Sequence, residues 1–390
     1  MIIKYQIAVI GNGHSLIDEI KESFYVHLAE LGIDRKYFTE IDENNFATEY
    51  KANAPLYCLY FGDTGGNFKN LDILSKLIAD ASLILPIVDD LDTYKASTPA
   101  ELHGINGFAL ADPVNIESLV SLMLEGLGLL RVSRRVFISY KRNESSTVAM
   151  QLYEQLEKNG FDVFLDTHSI RPGEPFQDEL WHRMADTDIV ILLNTPGFLT
   201  SDWTKEELAK ANAMQIGILQ LLWPTHRMEN TAALSIPLQL ETIDFGNGSY
   251  SDAKSYLTNA CIERIVEQAE YLRARSLAAR QDNIVTEFMA AAKKAKRKAD
   301  LHPYKFIQVA QLSGDDAIII PTVGVPQALT YNRSEEMIGK MMFGRKPPVY
   351  LLYDHINIRD RWLQHLDWLD NYLPIKTIKV TEAEQWLLKN

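Results

Sequence analysis

Short apolar runs alternate with amphipathic stretches along the first third of the chain. In the stretches 15–31, 67–79 and 114–129, apolar residues recur at three- and four-residue spacing, which is typical of helices that bury one face. Strands that alternate with helices predict a parallel sheet with helices on both faces, so we expect an α/β module over residues 1–130. Its five predicted strands are Tyr5–Ile10, Lys36–Ile41, Leu56–Phe61, Ser82–Val88 and Gly107–Leu110.

The same alternation begins again near residue 134. Val148, Leu152 and Leu156 share one face of a predicted helix over Ser145–Asn159, and Gly160 marks its end. The other predicted helices of this region are Phe176–Ala185, Asp202–Met214 and 251–270. Its predicted strands are Arg134–Tyr140, Phe161–Asp166, Ile189–Asn194, Gly217–Trp223 and Leu240–Phe245. This pattern predicts a second parallel sheet.

The last third of the chain contains a long helical stretch and a smaller α/β pattern. Residues 251–299 contain no proline, which predicts one long or once-broken helix. The basic cluster Lys293–Lys298 at its end suits the negative end of the helix dipole, and a contact with an anion or a nucleic acid is the alternative. Four predicted strands and one helix follow: Lys305–Gln311, Ala317–Pro321, Val349–Tyr353, Lys376–Val380 and helix Arg359–Asn371.

Composition and charge exclude several classes of protein. The 390 residues carry a net charge of −13, and residues 1–130 alone hold 8 basic and 19 acidic residues, which argues against duplex nucleic acid as a partner. Two cysteines, Cys58 and Cys261, are too few for a disulfide framework or a cysteine-based zinc site. No apolar run approaches 18 residues and no signal peptide is recognisable, so we expect a cytoplasmic protein without a membrane partner.

The turn after the first predicted strand has two interpretations. Gly11-Asn12-Gly13-His14 is similar to the start of a phosphate-binding loop, but Leu16 occupies the position of the third glycine. A tight turn, with His14 as a turn or capping residue, is the alternative.

One helix start in the middle region combines an aromatic residue with a carboxylate. Ser201 or Asp202 can cap this helix, and Trp203 and Glu207, four residues apart, then share one of its faces. Glu206 points about 100° away from Glu207 on the helical wheel. A ring-binding aromatic beside a carboxylate suits a nucleotide site. An amphipathic helix with an ordinary acidic first turn is the alternative.

Four motifs in this region together resemble the Toll/interleukin-1 receptor (TIR) domain family. Val136–Arg142 is similar to the family's opening strand, and Val163–Asp166 to its second strand. Ile170–Glu174 with Phe176 is similar to its BB loop, and these residues are most similar to the BB loops of bacterial members. Ser201-x-Trp203 with Glu207-Leu208 is similar to its third-helix motif. The resemblance implies a flavodoxin-like parallel α/β domain over residues 133–272.

The resemblance also implies roles for individual residues. Many TIR domains with this glutamate cleave NAD, which makes Glu207 the expected catalytic residue. Thr204 departs from the cysteine that many members have after the tryptophan. The expected substrate-binding residues are Tyr140, Lys141, Arg142, Phe176, Trp203 and Trp223, and the expected assembly residues of the BB loop are Ile170, Arg171, Pro172 and Gly173. NAD is then the substrate, and we expect no metal and no cofactor.

The function implied by the resemblance is an NAD glycohydrolase, an NAD⁺ nucleosidase that works in self-assembled oligomers and takes part in bacterial anti-phage defence. A cyclase that makes a cyclic ADP-ribose messenger is one alternative, and a non-enzymatic signalling protein is another. We expect flanking modules at residues 1–130 (Rossmann- or flavodoxin-like) and 303–390, with a helical linker at 273–302. These modules would bind an activating ligand or a partner protein.

Overall fold

A computed structural model divides the chain into two compact units, Met1–Val132 and Ser133–Asn390. The residues that the structure describes are 5–31, 33–52, 54–80, 82–110, 115–127, 129–131, 133–165, 182–198, 215–226, 235–246, 248–302, 306–312, 315–341 and 347–390.

The first unit is built on a sheet of five parallel strands in the order β2-β1-β3-β4-β5. The strands are β1 (Tyr5–Gly11), β2 (Phe38–Ile41), β3 (Leu56–Phe61), β4 (Leu83–Val88) and β5 (Phe108–Ala109). The helices are α1 (Ile17–Glu30), α2 (Phe46–Glu49), α3 (Leu71–Ala79), α4 (Tyr94–Ser97) and α5 (Ile116–Gly126). All six side chains of β3 are buried, as expected for a central strand that is covered on both faces.

Gly11 allows two strands of this sheet to approach closely. Its φ is +92°, a backbone conformation that favours glycine. A Cβ at this position would overlap with the carbonyl oxygen of Phe61, its partner on β3. The close approach of β1 to β3 therefore explains why glycine occupies position 11, and phosphate binding is not needed to explain it.

The second unit begins with another parallel sheet, in the order β10-β9-β8-β6-β7. Helix α6 (Arg142–Lys158) follows β6 and departs from helical geometry at Ser145, where φ is −147° and ψ is 24°. The strands are β6 (Arg135–Ser139), β7 (Asp162–Leu165), β8 (Ile189–Asn194), β9 (Gly217–Leu222) and β10 (Ser235–Gln239). The mixed α/β fold with parallel sheets, predicted from the alternating pattern, is confirmed.

The predicted strand Leu240–Phe245 is wrong. The fifth strand of this sheet, β10, lies just before it and pairs only with β9 among the described strands. An edge strand tolerates Pro237 and half-exposed side chains, so β10 lacks the continuous apolar run that marks a buried strand. Residues Thr242–Asp244 form a 3₁₀ turn instead.

One long helix, α7 (Asn259–Lys294), is shared by two cores of the second unit. Thr258 caps it by accepting a hydrogen bond from the Cys261 backbone N–H, so the helix starts later than the predicted residue 251. Its first half buries Ile265 in the core of the β6–β10 sheet, and its second half buries Phe288 in the C-terminal core. No helix in the described ranges combines the length and apolar character needed to cross a bilayer.

The C-terminal sheet has the order β11-β12-β13-β14-β15, in which β11 and β12 are antiparallel and β13 to β15 are parallel. Its strands are β11 (Ala299–Leu301), β12 (Ile307–Val309), β13 (Ala317–Thr322), β14 (Val349–Tyr353) and β15 (Lys376–Lys379). Its helices are α8 (Ala328–Met341), α9 (Asp360–Tyr372) and α10 (Ala383–Lys389). The sequence pattern missed β11, α8 and α10.

Candidate functional site

The carboxyl ends of β6 and β8 lie side by side in the second unit. From β6 the chain continues to β7 on one side, whereas β8 and then β9 and β10 lie on the other side. Open α/β sheets bind ligands in the crevice at such a switch point, because the loops after the two strands separate there. The two loops that border this crevice begin at Tyr140 and at Thr195.

An ion pair occupies the first of these loops. Lys141 is the N-cap residue of α6, and its Nζ lies 2.6 Å from Oε1 of Glu144 in the first turn of that helix. The side chains are 36% and 28% exposed, so solvent and small molecules reach both. The position of Glu144 near a helix N-terminus also favours its negative charge.

The same pair contacts the second loop. Oε2 of Glu144 accepts a hydrogen bond from the Gly197 backbone N–H at 3.1 Å, and the Lys141 Nζ donates to the Gly197 carbonyl oxygen at 3.1 Å. The next residue, Phe198, is 2% exposed and anchors the loop in the interior. Lys141, Glu144 and Gly197 therefore connect the loops after β6 and β8.

The surroundings of Glu144 keep its carboxylate ionised. Partial burial raises the pKa of Glu144, but bonds from the Lys141 ammonium and the Gly197 N–H outweigh burial and hold that pKa below its ordinary value. A carboxylate in this state stays paired with Lys141 at neutral pH.

Three other predicted substrate-binding residues are in the described part of the chain. Tyr140 and Trp223 are 7% and 2% exposed and belong to the same hydrophobic core. The indole N–H of Trp223 donates to the carbonyl oxygen of Tyr250 at 3.1 Å, and its ring meets Phe245 edge to face. Arg142 is exposed at the first residue of α6. The structure thus brings Lys141 and Arg142 to the accessible edge and places Tyr140 and Trp223 behind it.

The remaining predicted site residues lie outside the described residues, and their roles stay predictions. They are Glu207, Trp203 and Phe176, together with Ile170, Arg171, Pro172 and Gly173 of the BB loop.

The prediction from sequence missed Glu144 and a buried polar chain beside the site. The Asn194 side-chain amide donates to Gln220 at 3.1 Å, and its oxygen lies 3.2 Å from Nε2 of His226. Asn194 ends an otherwise apolar strand and Gln220 interrupts another, which is a signal that the sequence offers. Within the described part of the chain, no group of three or more His, Cys, Asp or Glu side chains is arranged to hold a metal ion.

A family model described as the TIR domain matches residues 136–258. Residues 136–258 form a TIR domain. The resemblance predicted from the four motifs is thereby confirmed, and the matched residues run from β6 to Thr258, the cap of α7.

Two relatives share part of this TIR domain. The 2' cyclic ADP-D-ribose synthase BtTIR of Bacteroides thetaiotaomicron is 26% identical over 72 residues, which are 18% of this chain and 25% of that protein. The probable 2' cyclic ADP-D-ribose synthase BdTIR of Brachypodium distachyon is 29% identical over 75 residues, 19% of this chain and 34% of that protein. The chain therefore matches only a quarter to a third of the length of these relatives.

Among solved structures, tagatose-6-phosphate ketose/aldose isomerase from Escherichia coli aligns with 71% of this chain and 81% of its own. Its identity is 14% and its TM-score 0.20, which is too low to bear on fold or function.

Proposed function

We propose that the TIR domain of this chain cleaves the bond between nicotinamide and ribose in NAD, with Glu207 as the catalytic carboxylate. The observation that carries this proposal is the family match over residues 136–258, a range that includes the Trp203–Glu207 motif. The named activity of the two relatives supports it, because each is called a synthase of cyclic ADP-D-ribose. The accessible switch point between β6 and β8 supplies a place for a ligand.

The proposed chemistry needs a carboxylate and little else. Loss of nicotinamide develops oxocarbenium character on the ribose, as in glycoside cleavage. The Glu207 carboxylate would stabilise that positive charge more in the transition state than in the bound substrate, which is the condition for catalysis. The ring nitrogen of bound nicotinamide is cationic, so the ring leaves as a neutral molecule and needs no general acid.

The supporting residues divide into two groups. Trp203 and Phe176 would hold the aromatic ring, and exposed Arg142 would contact the phosphates, for which a guanidinium is well suited. Lys141 would serve the phosphates only in competition with Glu144, since the two are already paired. Tyr140 and Trp223 lie in the core and would support the strand ends that carry the site.

Assembly is the second part of the proposal. Ile170, Arg171, Pro172 and Gly173 of the BB loop would complete the site of a neighbouring protomer, so that activity depends on self-association through TIR domains. The first unit and the C-terminal sheet would bind an activating ligand or partner protein and so control assembly. NAD depletion during bacterial anti-phage defence is the setting that this arrangement suits.

A cyclase is the second candidate, and the names of the two relatives favour it. Both reactions begin with the same bond cleavage. They differ in the nucleophile that captures the ribose cation: water gives linear ADP-ribose, whereas a hydroxyl group of the same ADP-ribose gives a cyclic product.

The test is incubation of the full chain with NAD at several protein concentrations, followed by chromatography of the products. Nicotinamide with linear ADP-ribose supports the hydrolase, and nicotinamide with a cyclic product supports the cyclase. A folded, self-associated protein that releases no nicotinamide would refute both and leave a signalling role.

A further inference from the structure

We infer that Glu144 is a positioning residue for the cleavage reaction, acting through Gly197 on the segment that leads to Trp203 and Glu207. This inference rests on the proposed function. It assigns the Lys141–Glu144 pair a role in aligning the catalytic segment, in place of direct contact between Lys141 and the substrate.

The geometry of Gly197 is the first support. Both of its backbone polar groups are bonded to one ion pair: the N–H donates to Glu144 and the carbonyl oxygen accepts from Lys141, each at 3.1 Å. Lys141 and Glu144 belong to the loop after β6 and the first turn of α6, whereas Gly197 belongs to the loop after β8. The pair therefore fixes one loop of the switch point against the other.

The fit around Gly197 is the second support. A Cβ at this position would overlap with Oε1 of Glu144 and with Nζ of Lys141. The pair thus lies directly on the backbone, and only glycine leaves room for it. The next residue, Phe198, is buried and holds this part of the loop in the interior.

The short connection to the proposed catalytic motif is the third support. Four residues lie between Phe198 and Trp203, so their Cα atoms are at most about 18 Å apart. A displacement at Gly197 therefore occurs within a short stretch of chain from Trp203 and Glu207. Misplacement of reacting groups by about 1 Å can reduce turnover 100-fold.

The partial exposure of the Lys141 and Glu144 side chains indicates that the pair aligns the loop and contributes little to the stability of the fold. Ion pairs that are about one-third exposed add little to folding stability. Loss of Glu144 should therefore leave the fold intact and change the alignment of the loop.

Three variants test the inference. Glu144→Ala removes the acceptor for the Gly197 N–H and the ion pair with Lys141, and we expect kcat to fall on the order of 10- to 100-fold while KM for NAD stays within about threefold. Glu144→Gln keeps an acceptor for the Gly197 N–H and should recover part of the loss. Gly197→Ala displaces the same pair and should lower kcat similarly, which gives a second route if Glu144→Ala folds poorly. Glu154→Gln, an exposed change on the same helix, is the matched control.

Amide hydrogen exchange adds a readout that does not depend on activity. The Gly197 amide should exchange faster in Glu144→Ala than in the wild type or in Glu154→Gln. Unchanged kcat, unchanged exchange, or a raised KM with normal kcat would each overturn the inference while leaving the proposed function standing. A wild-type protein without nicotinamide release at any concentration would overturn both.

Discussion

Nε of Arg273 lies 2.8 Å from Oδ2 of Asp188, and neither side chain is accessible to solvent. Asp188 immediately precedes β8, and its Oδ2 also accepts a hydrogen bond from the Arg135 backbone N–H at 3.2 Å. Ser276, one turn after Arg273 on α7, donates to the Asp188 carbonyl oxygen at 2.9 Å. These contacts fix α7 through buried polar groups to the sheet formed by β6 to β10, hereafter the TIR sheet.

The first prediction concerns this pair. Arg273→Met leaves the buried Asp188 carboxylate without its cation, so the free energy of unfolding of the second unit should fall by about 3–5 kcal/mol. Urea denaturation measures the change. As a control, Asp300→Asn removes a pair with Lys298 in which both side chains are more than two-thirds exposed, and should change it by no more than about 0.5 kcal/mol. Equal losses in the two variants would contradict the account.

The second prediction concerns pH and the first unit. Nε2 of buried His27 lies 3.0 Å from Oε2 of Glu117, and its Nδ1 lies 2.9 Å from the Ser23 carbonyl oxygen. Burial lowers the pKa of His27, but the bonds to Glu117 and Ser23 outweigh it and raise the pKa above its ordinary value. Burial likewise raises the pKa of Glu117, and the bond from His27 outweighs it and lowers that pKa.

The sign of the pH dependence follows from these directions. The His27 contribution is complete below its unfolded pKa of about 6.5 and is lost as pH rises through the raised folded value. The Glu117 contribution is present above its unfolded pKa of about 4.3 and is lost as pH falls through the lowered folded value. Between pH 5.5 and 8.5 the urea midpoint of the first unit should therefore fall more in the wild type than in His27→Gln. Parallel curves would show that the pair does not titrate as described.

The third prediction concerns cooperativity in the second unit. Ile265 and Phe288 lie on the same helix, α7, but in different cores, and both are completely buried. The second unit should unfold in one thermal transition. Either Ile265→Ala or Phe288→Ala should lower the temperature of that transition, by a loss of about 2–5 kcal/mol in the free energy of unfolding. The transition of the first unit should stay unchanged. Calorimetry in which Phe288→Ala produces a separate early transition would mean that the C-terminal sheet unfolds independently of the TIR sheet.

Buried central strands were the best-predicted part of the fold. Leu56–Phe61, Ile189–Asn194 and Val349–Tyr353 have the bounds that their apolar runs predict, because such strands are covered on both faces. The edge strand β10 and helix α8 were not predictable in this way. Each mixes polar and apolar residues, and contacts with neighbouring elements rather than local pattern determine its structure.

The candidate site shows the same division. Its family motifs are local, so Lys141 and Arg142 could be named from the sequence alone. The bond between Glu144 and Gly197 joins residues 53 positions apart, and no local spacing indicates it. The burial of Trp223 likewise depends on Phe245 and Tyr250, which come from a later part of the chain.

The fourth prediction concerns assembly. If the BB loop of one protomer completes the site of the next, nicotinamide release should rise faster than linearly with protein concentration. Gly173→Pro restricts the backbone of that loop and should lower turnover and self-association together. Light scattering and nicotinamide release from the same samples give the comparison. Full activity from a monomer, linear in concentration, would contradict this part of the proposal.

The fifth prediction tests the central claim, that Glu207 is the catalytic carboxylate. Glu206→Ala is the matched control, because it removes the same charge from the same predicted helix turn while pointing about 100° away. The decisive measurement is nicotinamide release from NAD by the wild type and both variants, at concentrations where all three self-associate equally. We expect Glu207→Ala to lose turnover by a factor on the order of 10² or more, while Glu206→Ala largely keeps it. Wild-type turnover in Glu207→Ala, or an equal loss in both variants, would contradict the claim.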